Sequence, residues 1–245
     1  MTEPAAAKSF DSKDVNGGIR KVVWPALKAV GFDRRTDRTA RRDGPGVIQV
    51  VNFQSFNTYL AEMLASTTFS FGVNLGVFYL SIAEVSSVSE HIKDRTRPAE
   101  YHCHARFSLD KGIAQAFPAL QHWVDRPDVW LVLPDGSNLD LAVTDARDRI
   151  VGVGLPWLER LSDLREARRH FEAVPDSYHD QRGIIAEHYG GTLGSPSRLH
   201  SIAALSGAVG DEAGRNRALA EMSKLPYDVE HPSDLERLRG TPQGT

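Results

Sequence analysis

Two histidines flank the only cysteine of the chain, in the order His102, Cys103, His104. Because side chains alternate between the two faces of a strand, both imidazoles would share one face while the thiol points to the other. Two imidazoles can hold a metal ion together, but a stable site needs a third ligand, and the thiol faces away from them. We therefore expect surface histidines, no metal site and no cofactor, with Cys103 as a small buried apolar residue.

A second group of polar side chains lies on segments that we predict to be strands, namely Asn52, Asn74, His104 and Arg106. Gly72 and Gly76 flank Asn74, so this strand face is shallow enough for a ligand or for a packed helix. If the strands pair in one sheet, the four side chains converge on the shallow face. They form either a ligand-binding site or, as we favour, a hydrogen-bonded patch under a helix or facing solvent, because buried polar groups need partners.

Known catalytic signatures are absent from the sequence, which contains no HExxH, no paired CxxC, no GxSxG and no phosphate-binding glycine loop. The stretch from Arg34 to Asp43 holds five arginines and two aspartates in ten residues. It fits either a phosphate-binding arm or a solvated strand at a sheet edge. No aromatic residue stands between the arginines to stack on bases, so we favour the edge strand and expect no nucleic-acid partner.

The strand that should position these residues runs through the segment from Thr67 to Ile82. Large apolar side chains occupy every second position there: Phe69, Phe71, Val73, Leu75, Val77 and Tyr79. This alternation gives a strand one apolar face. The turn signal at Gly44-Pro45-Gly46 predicts a hairpin over residues 36–53 that feeds the same sheet. Residues 101–109 and 123–133 are predicted as further strands.

Helices should lie on both sides of these strands in the sequence. The first is capped by Asp11 or Ser12 and ends at Gly31, and Pro25 should either kink it or mark a restart. Helical periodicity then returns after Asn138, which we predict as an N-cap.

Pro156 opens a second helix of this region, which runs to Phe171, and shorter helices follow it. We predict an α+β fold in which helices cover a mainly antiparallel sheet, with a helical C-terminal appendage. We divide the chain into a flexible N-terminus (1–12), an α+β domain (13–174) and a helical C-terminal extension (175–245).

The composition is that of a soluble globular protein, with 245 residues, 41% hydrophobic and 25% charged residues, and a net charge of −3. So small a net charge gives no global attraction to nucleic acid or to an anionic membrane. No apolar run approaches the ~20 residues of a membrane span, and the N-terminus lacks the apolar core of a signal peptide. A single cysteine suits a reducing compartment, so we expect the cytoplasm and no membrane partner.

Four stretches together resemble a bacterial family catalogued as domain of unknown function 4304: LKAVGF (27–32), VIQVVNFQ (47–54), FGVNLGVF (71–78) and EYHCHARFSL (100–109). The segment VGLPWLERLSD (153–163) is similar to the closing helix of that family. The resemblance covers roughly residues 13–170 and leaves the helical tail outside. It implies an α+β domain and brings no established activity, so no functional residue is carried over. One departure is the Gly-Pro-Gly turn after the arginines, where a shorter turn is more usual.

Three functional hypotheses follow from the sequence, and the weakest is nucleic-acid binding by the arginine-rich stretch. The first is a non-catalytic protein-interaction or binding module, such as an adaptor or an immunity-like protein that masks a partner. It rests on the missing catalytic set and on a helical tail that offers surface. The alternative is an enzyme of unrecognised type that uses Asn74, His104 and Arg106. A deep pocket lined by these side chains would favour the enzyme, and their dispersal on open solvent would favour the binding module.

Overall fold

The computed structural model describes residues 10–63, 66–86, 92–113, 126–179, 184–225 and 236–239. Most of the predicted flexible N-terminus and the first residues of the strand predicted at 123–133 lie outside these ranges. In the described remainder of that strand, Trp130 forms an isolated bridge with Phe71.

Within the described ranges, seven strands pair antiparallel in one sheet, in the order β1-β2-β3-β4-β5-β7-β6. They are β1 (Arg34–Arg35), β2 (Thr39–Gly44), β3 (Val47–Ser55), β4 (Phe71–Tyr79), β5 (Ala105–Ser108), β6 (Ser177–His179) and β7 (Ile184–His188). The predicted antiparallel sheet and its first hairpin are confirmed. The fold is α+β.

The helices lie before, between and after the strands. They are α1 (Ser12–Ala29), α2 (Thr58–Met63), α3 (Leu80–Val85), α4 (Leu139–Arg149), α5 (Leu155–Ser162), α6 (Leu164–Ala173), α7 (Pro196–Ala208) and α8 (Glu212–Met222). The described residues also include a 3-10 helix at Glu100–His102, a π-helix at Ile150–Gly154 and a helical segment at 236–239.

The predicted central strand is confirmed as β4. On one face, which we call the core face, its side chains are all buried: Phe71, Val73, Leu75, Val77 and Tyr79. Helices α1 and α5 lie on this face, where Trp24 of α1 packs edge-on against Phe53 and Trp157 of α5 lies 5.3 Å from the ring of Phe107. Burial of large side chains on this scale supplies most of the stability of a domain.

The other face of the sheet, which we call the opposite face, carries a separate and smaller apolar cluster. Its members are Ile48, Val50, Phe78, Ala83 and Cys103. The 3-10 helix at Glu100–His102 covers β4 here. Its neighbour Cys103 sits so close to Gly76 that a Cβ at this glycine would lie 2.5 Å from Sγ. Only glycine leaves room for this approach.

The N-terminal helix begins and ends where the sequence predicts. The Asp11 side chain accepts hydrogen bonds from two N–H groups of the first turn. Gly31 takes a left-handed φ of 89°, and the Phe32 N–H donates to the carbonyl of Leu27. Pro25 lies inside α1, which continues past it.

The helices predicted after Asn138 are divided differently in the structure. Helices α4 and α5 join through the π-helix into one continuous run, whereas the helix predicted from Pro156 to Phe171 breaks at Asp163, which caps α6. The wide π turn brings Gly154 against the sheet, where a Cβ would lie 2.9 Å from the side chain of Leu75. Asn138 occupies the predicted N-cap position of α4, but its side chain does not cap the helix. Its side chain accepts from the Leu133 N–H and donates to the carbonyl of Leu131, so it fixes the preceding loop instead.

The C-terminal residues contribute both strands and helices. Strands β6 and β7 extend the sheet beyond β5, while α7 contacts α3 and α6, and α8 packs on α7. Leu199, Ile202 and Leu205 of α7 belong to the main apolar core. The division into domains at residue 174 stays a prediction.

Candidate functional site

A row of polar side chains crosses the opposite face of the sheet. Thr39, Asn52, Asn74 and Ser108 are successive register partners on β2, β3, β4 and β5. We call these four residues the polar row. All four are half-buried. Because register partners point to the same face, the sequence-predicted residues Asn52 and Asn74 are indeed neighbours.

Side-chain hydrogen bonds hold the polar row together. The Thr39 hydroxyl donates to Asn52 Oδ1 at 2.9 Å, and the Ser108 hydroxyl donates to Asn74 Oδ1 at 2.9 Å. Asn74 in turn donates from Nδ2 to Oε1 of the exposed Gln54 at 2.7 Å. Each amide is therefore fixed in orientation by its neighbours, which leaves its remaining donors and acceptors pointing in defined directions.

Arg106 lies on the same face, one step along β5 from Ser108. Its Nε donates to Glu100 Oε1 at 2.7 Å, and Nη2 donates to Oε2 at 3.3 Å. The Glu100 side chain is only 6% exposed, whereas that of Arg106 is 38% exposed. A two-pronged pair of this kind compensates the charge of Arg106 and fixes its guanidinium plane.

His104 is not brought together with the other three predicted residues. Its Nδ1 accepts a hydrogen bond from the Tyr79 N–H at 3.0 Å, and its ring stacks on Phe78 with centroids 4.8 Å apart. Burial, and to a lesser extent the nearby His200, lowers the pKa of His104 to about 3. The imidazole is therefore neutral at physiological pH and has one nitrogen committed to the backbone.

The segment around His102 differs from the predicted strand. Residues 100–102 form the 3-10 helix, and the strand begins only at Ala105. The His102 Nδ1 accepts from the Ala99 N–H at 3.1 Å, so the ring closes this turn and does not share a strand face with His104. Burial raises the pKa of the Cys103 thiol. Among the described residues, no group of three or more His, Cys, Asp or Glu side chains is placed to hold a metal ion.

The model of a family described as "Domain of unknown function (DUF4304)" matches residues 23–160, more than half of the chain. The chain belongs to DUF4304. No curated protein and no solved structure matches the chain. The DUF4304 segment carries the whole polar row and Arg106, and it ends before α6. No helix in the described part of the chain is long and apolar enough to cross a membrane.

Beyond the DUF4304 segment, the sequence analysis missed a histidine paired with a carboxylate. Nδ1 of His188 lies 2.8 Å from Oδ2 of Asp176. The Asp176 side chain is 2% exposed and also accepts from the Tyr189 N–H and from Arg198. A carboxylate held by such donors orients the imidazole and leaves the other ring nitrogen available.

His188 also stands beside the residues predicted from the sequence. It is the register partner of Arg106 on the neighbouring strand, so both side chains lie on the opposite face. The His188 side chain is 28% exposed. No periodicity or motif in residues 175–189 marks His188 or Asp176, since their pairing depends on how β6 and β7 meet.

The arginine-rich stretch is less exposed than the sequence analysis expected. Arg41 is only 8% exposed, and its Nε donates to the carbonyl of Pro98 at 2.8 Å. Arg42 donates to the Gln49 side chain and lies over the ring of Phe32. The interpretation of this stretch as a solvated edge strand is therefore wrong for Arg41.

Three clefts in the described part of the chain lie away from the polar row. A cleft of about 650 Å³ lies between Pro45, the start of α6 and the turn from α7 to α8. Smaller ones of about 380 and 310 Å³ lie among α6, α7 and α8 and beside the π-helix. Asn52, Asn74, His104 and Arg106 line none of these three clefts.

Proposed function

We propose that this DUF4304 protein is a non-catalytic binding module and that the polar row is its contact surface for a protein partner. One observation carries the proposal: hydroxyls and amides that are half-exposed are already fixed by hydrogen bonds of 2.7–2.9 Å on rigid strands. Prearranged polar groups lose little conformational entropy on binding, which favours recognition.

The charges around the polar row support binding more than catalysis. Arg106 is paired with Glu100, and His104 is neutral with Nδ1 occupied by the backbone. Protein interfaces use polar groups that keep donors and acceptors to spare. Asn52, for example, accepts from Thr39 through Oδ1, and its Nδ2 has no acceptor in the described part of the chain.

The expected partner and compartment follow from the same proposal. We expect a protein partner and no nucleic acid or membrane, since the net charge is only −3. A cytoplasmic location suits a chain whose one cysteine is buried and free.

Site-specific photocrosslinking tests the contact surface. A photoreactive phenylalanine analogue replaces Gln54, which is exposed beside the polar row, and the protein is irradiated in cells of its source organism. The matched control carries the analogue at Leu141, which is 56% exposed on α4. We expect a discrete crosslinked protein from position 54 and none from position 141.

A second change sharpens this test. Asn52→Ala in the position-54 protein removes one amide of the row and should reduce the yield of the same crosslinked product. Equal products from positions 54 and 141, or a yield unaffected by Asn52→Ala, would contradict the proposed surface.

The alternative is an enzyme, and one specific observation favours it. His188 is oriented by the buried Asp176 beside Arg106, an arrangement that lets Nε2 take up a proton from a bound substrate or water. The candidate general base is therefore His188, and not His104, whose Nδ1 accepts from the Tyr79 N–H.

Turnover of simple activated esters tests this alternative. If His188 is a general base, His188→Gln should lower the rate by about 100-fold or more. The control is His170→Gln, a half-buried histidine on α6. Equal rates in wild type and His188→Gln would exclude this role.

A further inference from the structure

Two arginines face each other at the edge of the sheet. Arg34 in β1 and Arg41 in β2 are register partners, so their side chains leave the sheet on the same face and lie side by side. Like charges directly opposite each other destabilise an antiparallel pair. Arg41 is also only 8% exposed, and burial of a charge is unfavourable without an opposite charge. The pair therefore needs a compensating negative group.

Among the described residues, Arg34 has an ion pair and Arg41 has none. Arg34 pairs with Asp43 and donates to the carbonyl of Thr96. Arg41 has no ion pair within the described ranges, and its one hydrogen bond there runs from Nε to the carbonyl of Pro98. The buried Nε of Arg34 likewise has no acceptor. Arg34 Nε and the terminal amino groups of Arg41 therefore have no acceptor among the described residues.

A third arginine adds positive charge at the same place. Arg97 ends a turn in which its N–H donates to the carbonyl of Asp94. The Asp94 carboxylate accepts from the N–H and hydroxyl of Thr96 and so fixes this turn. Burial, followed by the charges of Arg97 and Arg34, lowers the pKa of Arg41, and the nearby Asp94 carboxylate offsets only part of this effect. We call Arg34, Arg41 and Arg97 the arginine cluster.

We propose that the arginine cluster binds a small oxyanion of the phosphate class, either free phosphate or the phosphate group of a small phosphomonoester. Planar guanidinium groups donate parallel hydrogen bonds that match phosphate oxygens. A phosphate-class anion supplies both the missing negative charge and the missing acceptors. The site is separate from the polar row and does not depend on the function proposed above.

A purely structural role explains only part of these contacts. Arg34 and Arg41 do tie residues 96–98 to the sheet edge through two backbone carbonyls. That role uses one donor of Arg41. Its terminal amino groups have no acceptor among the described residues, and its charge is offset only in part by Asp94. A neutral hydrogen-bonding side chain would make the same tie without the charge.

Inorganic phosphate is the probe for the site, titrated into the full chain at constant ionic strength with chloride as the balancing anion. We expect phosphate to shift the NMR signals of the Arg34 and Arg41 Nε–H groups and to raise the thermal unfolding midpoint. In Arg41→Gln the apparent Kd for phosphate should weaken by about 10-fold or more, as expected for the loss of charge-assisted hydrogen bonds. A parallel titration with phenyl phosphate distinguishes the two sources, since tighter binding of the ester indicates a phosphomonoester ligand.

The matched control is Arg35→Gln. Arg35 is exposed and pairs with Ala40, so it lies on the same strand but points to the other face. The Arg35→Gln variant should bind phosphate with the affinity of the wild type. If Arg41→Gln does not fold, Arg41→Lys keeps the charge without the planar fork and should also weaken binding. Unmoved Nε–H signals in the wild type, or equal phosphate affinity in the Arg41 and Arg35 variants, would overturn the proposal.

Discussion

The two faces of the sheet differ most clearly along β4. On the core face, the strand presents large apolar side chains that helices cover completely. On the opposite face, the same strand presents Gly72, Asn74, Gly76 and Phe78, and the 3-10 helix at residues 100–102 covers only part of it. The core face is therefore stabilised by burial. The part of the opposite face that carries the polar row is stabilised by hydrogen bonds between neighbouring strands, beside its smaller apolar cluster. Substitutions on the two faces should differ in size and in cause.

The largest effect is expected on the core face. Leu75 is fully buried at the centre of the sheet, so Leu75→Ala should lower the free energy of unfolding by ~2–5 kcal/mol. Denaturant unfolding measures this, with Leu141→Ala on the exposed side of α4 as the control, expected within about 0.5 kcal/mol of wild type. A loss below about 1 kcal/mol at Leu75 would show that this face is not the core.

The next effect is a dependence of folding stability on pH, which arises from His104 at the end of the opposite face. The pKa of His104 is lowered to about 3, so the folded protein holds this imidazole neutral while the unfolded chain takes up a proton below pH ~6.5. Stability should therefore fall as the pH drops from about 6.5, with a slope of up to ~1.4 kcal/mol per pH unit from this group.

Unfolding measured between pH 4.5 and 7 checks this prediction by comparing wild type with His104→Gln. Because other groups also titrate, the difference between the two proteins is the relevant quantity. The variant should have the flatter profile. Parallel profiles would mean that His104 is solvated enough to be protonated in the folded state.

A smaller effect should follow from Gly76→Ala. The added methyl group would meet Sγ and Cβ of Cys103 at 2.5–2.6 Å, so the 3-10 helix must move. Overpacking of this kind costs about 1–3 kcal/mol. The control is Gly17→Ala in α1, where an added Cβ would meet nothing within 4 Å. This substitution should stabilise the helix by about 0.5–1 kcal/mol. Equal stabilities for the two variants would place Cys103 away from β4.

The smallest effect is expected within the polar row. Asn74→Ala removes two side-chain hydrogen bonds, to Gln54 and from Ser108, at a half-exposed position. The expected loss is about 1 kcal/mol, because solvent replaces part of the bonding. A loss as large as that of Leu75→Ala would mean that the row is a sealed structural element instead of an accessible surface.

The sequence predicted the core face better than the opposite face for a physical reason. Alternating apolar residues in β4 mark burial directly, and the caps at Asp11 and Gly31 are local signals. The prediction that a strand begins at Tyr101 was wrong because a backbone turn lies there instead. A hydrogen bond from the Ala99 N–H to His102 Nδ1 closes this turn. The wide π turn at Gly154 likewise leaves no local mark.

The residues of the candidate site could likewise be predicted from the sequence only where the local pattern is strong. Asn52 and Asn74 were found because both lie on strongly patterned strands. Their partners Thr39 and Ser108 depend on strand register, which composition does not reveal. Arg41 is buried because residues around Pro98 fold back over the sheet edge, and His188 meets Asp176 only through the pairing of β6 with β7.

NMR of the side-chain amide groups tests most directly whether the polar row is a preformed surface on an otherwise packed sheet. The NH₂ group of Asn74 should give dispersed signals with slow hydrogen exchange, since its Nδ2 donates to Gln54. The NH₂ signals of Asn52 should be dispersed as well, because the Thr39 hydroxyl fixes its Oδ1, but they should exchange faster, since Nδ2 has no acceptor among the described residues. The exposed Asn216 of α8 provides the averaged reference. Asn74 signals that match those of Asn216 in shift and exchange rate would contradict a preformed polar row.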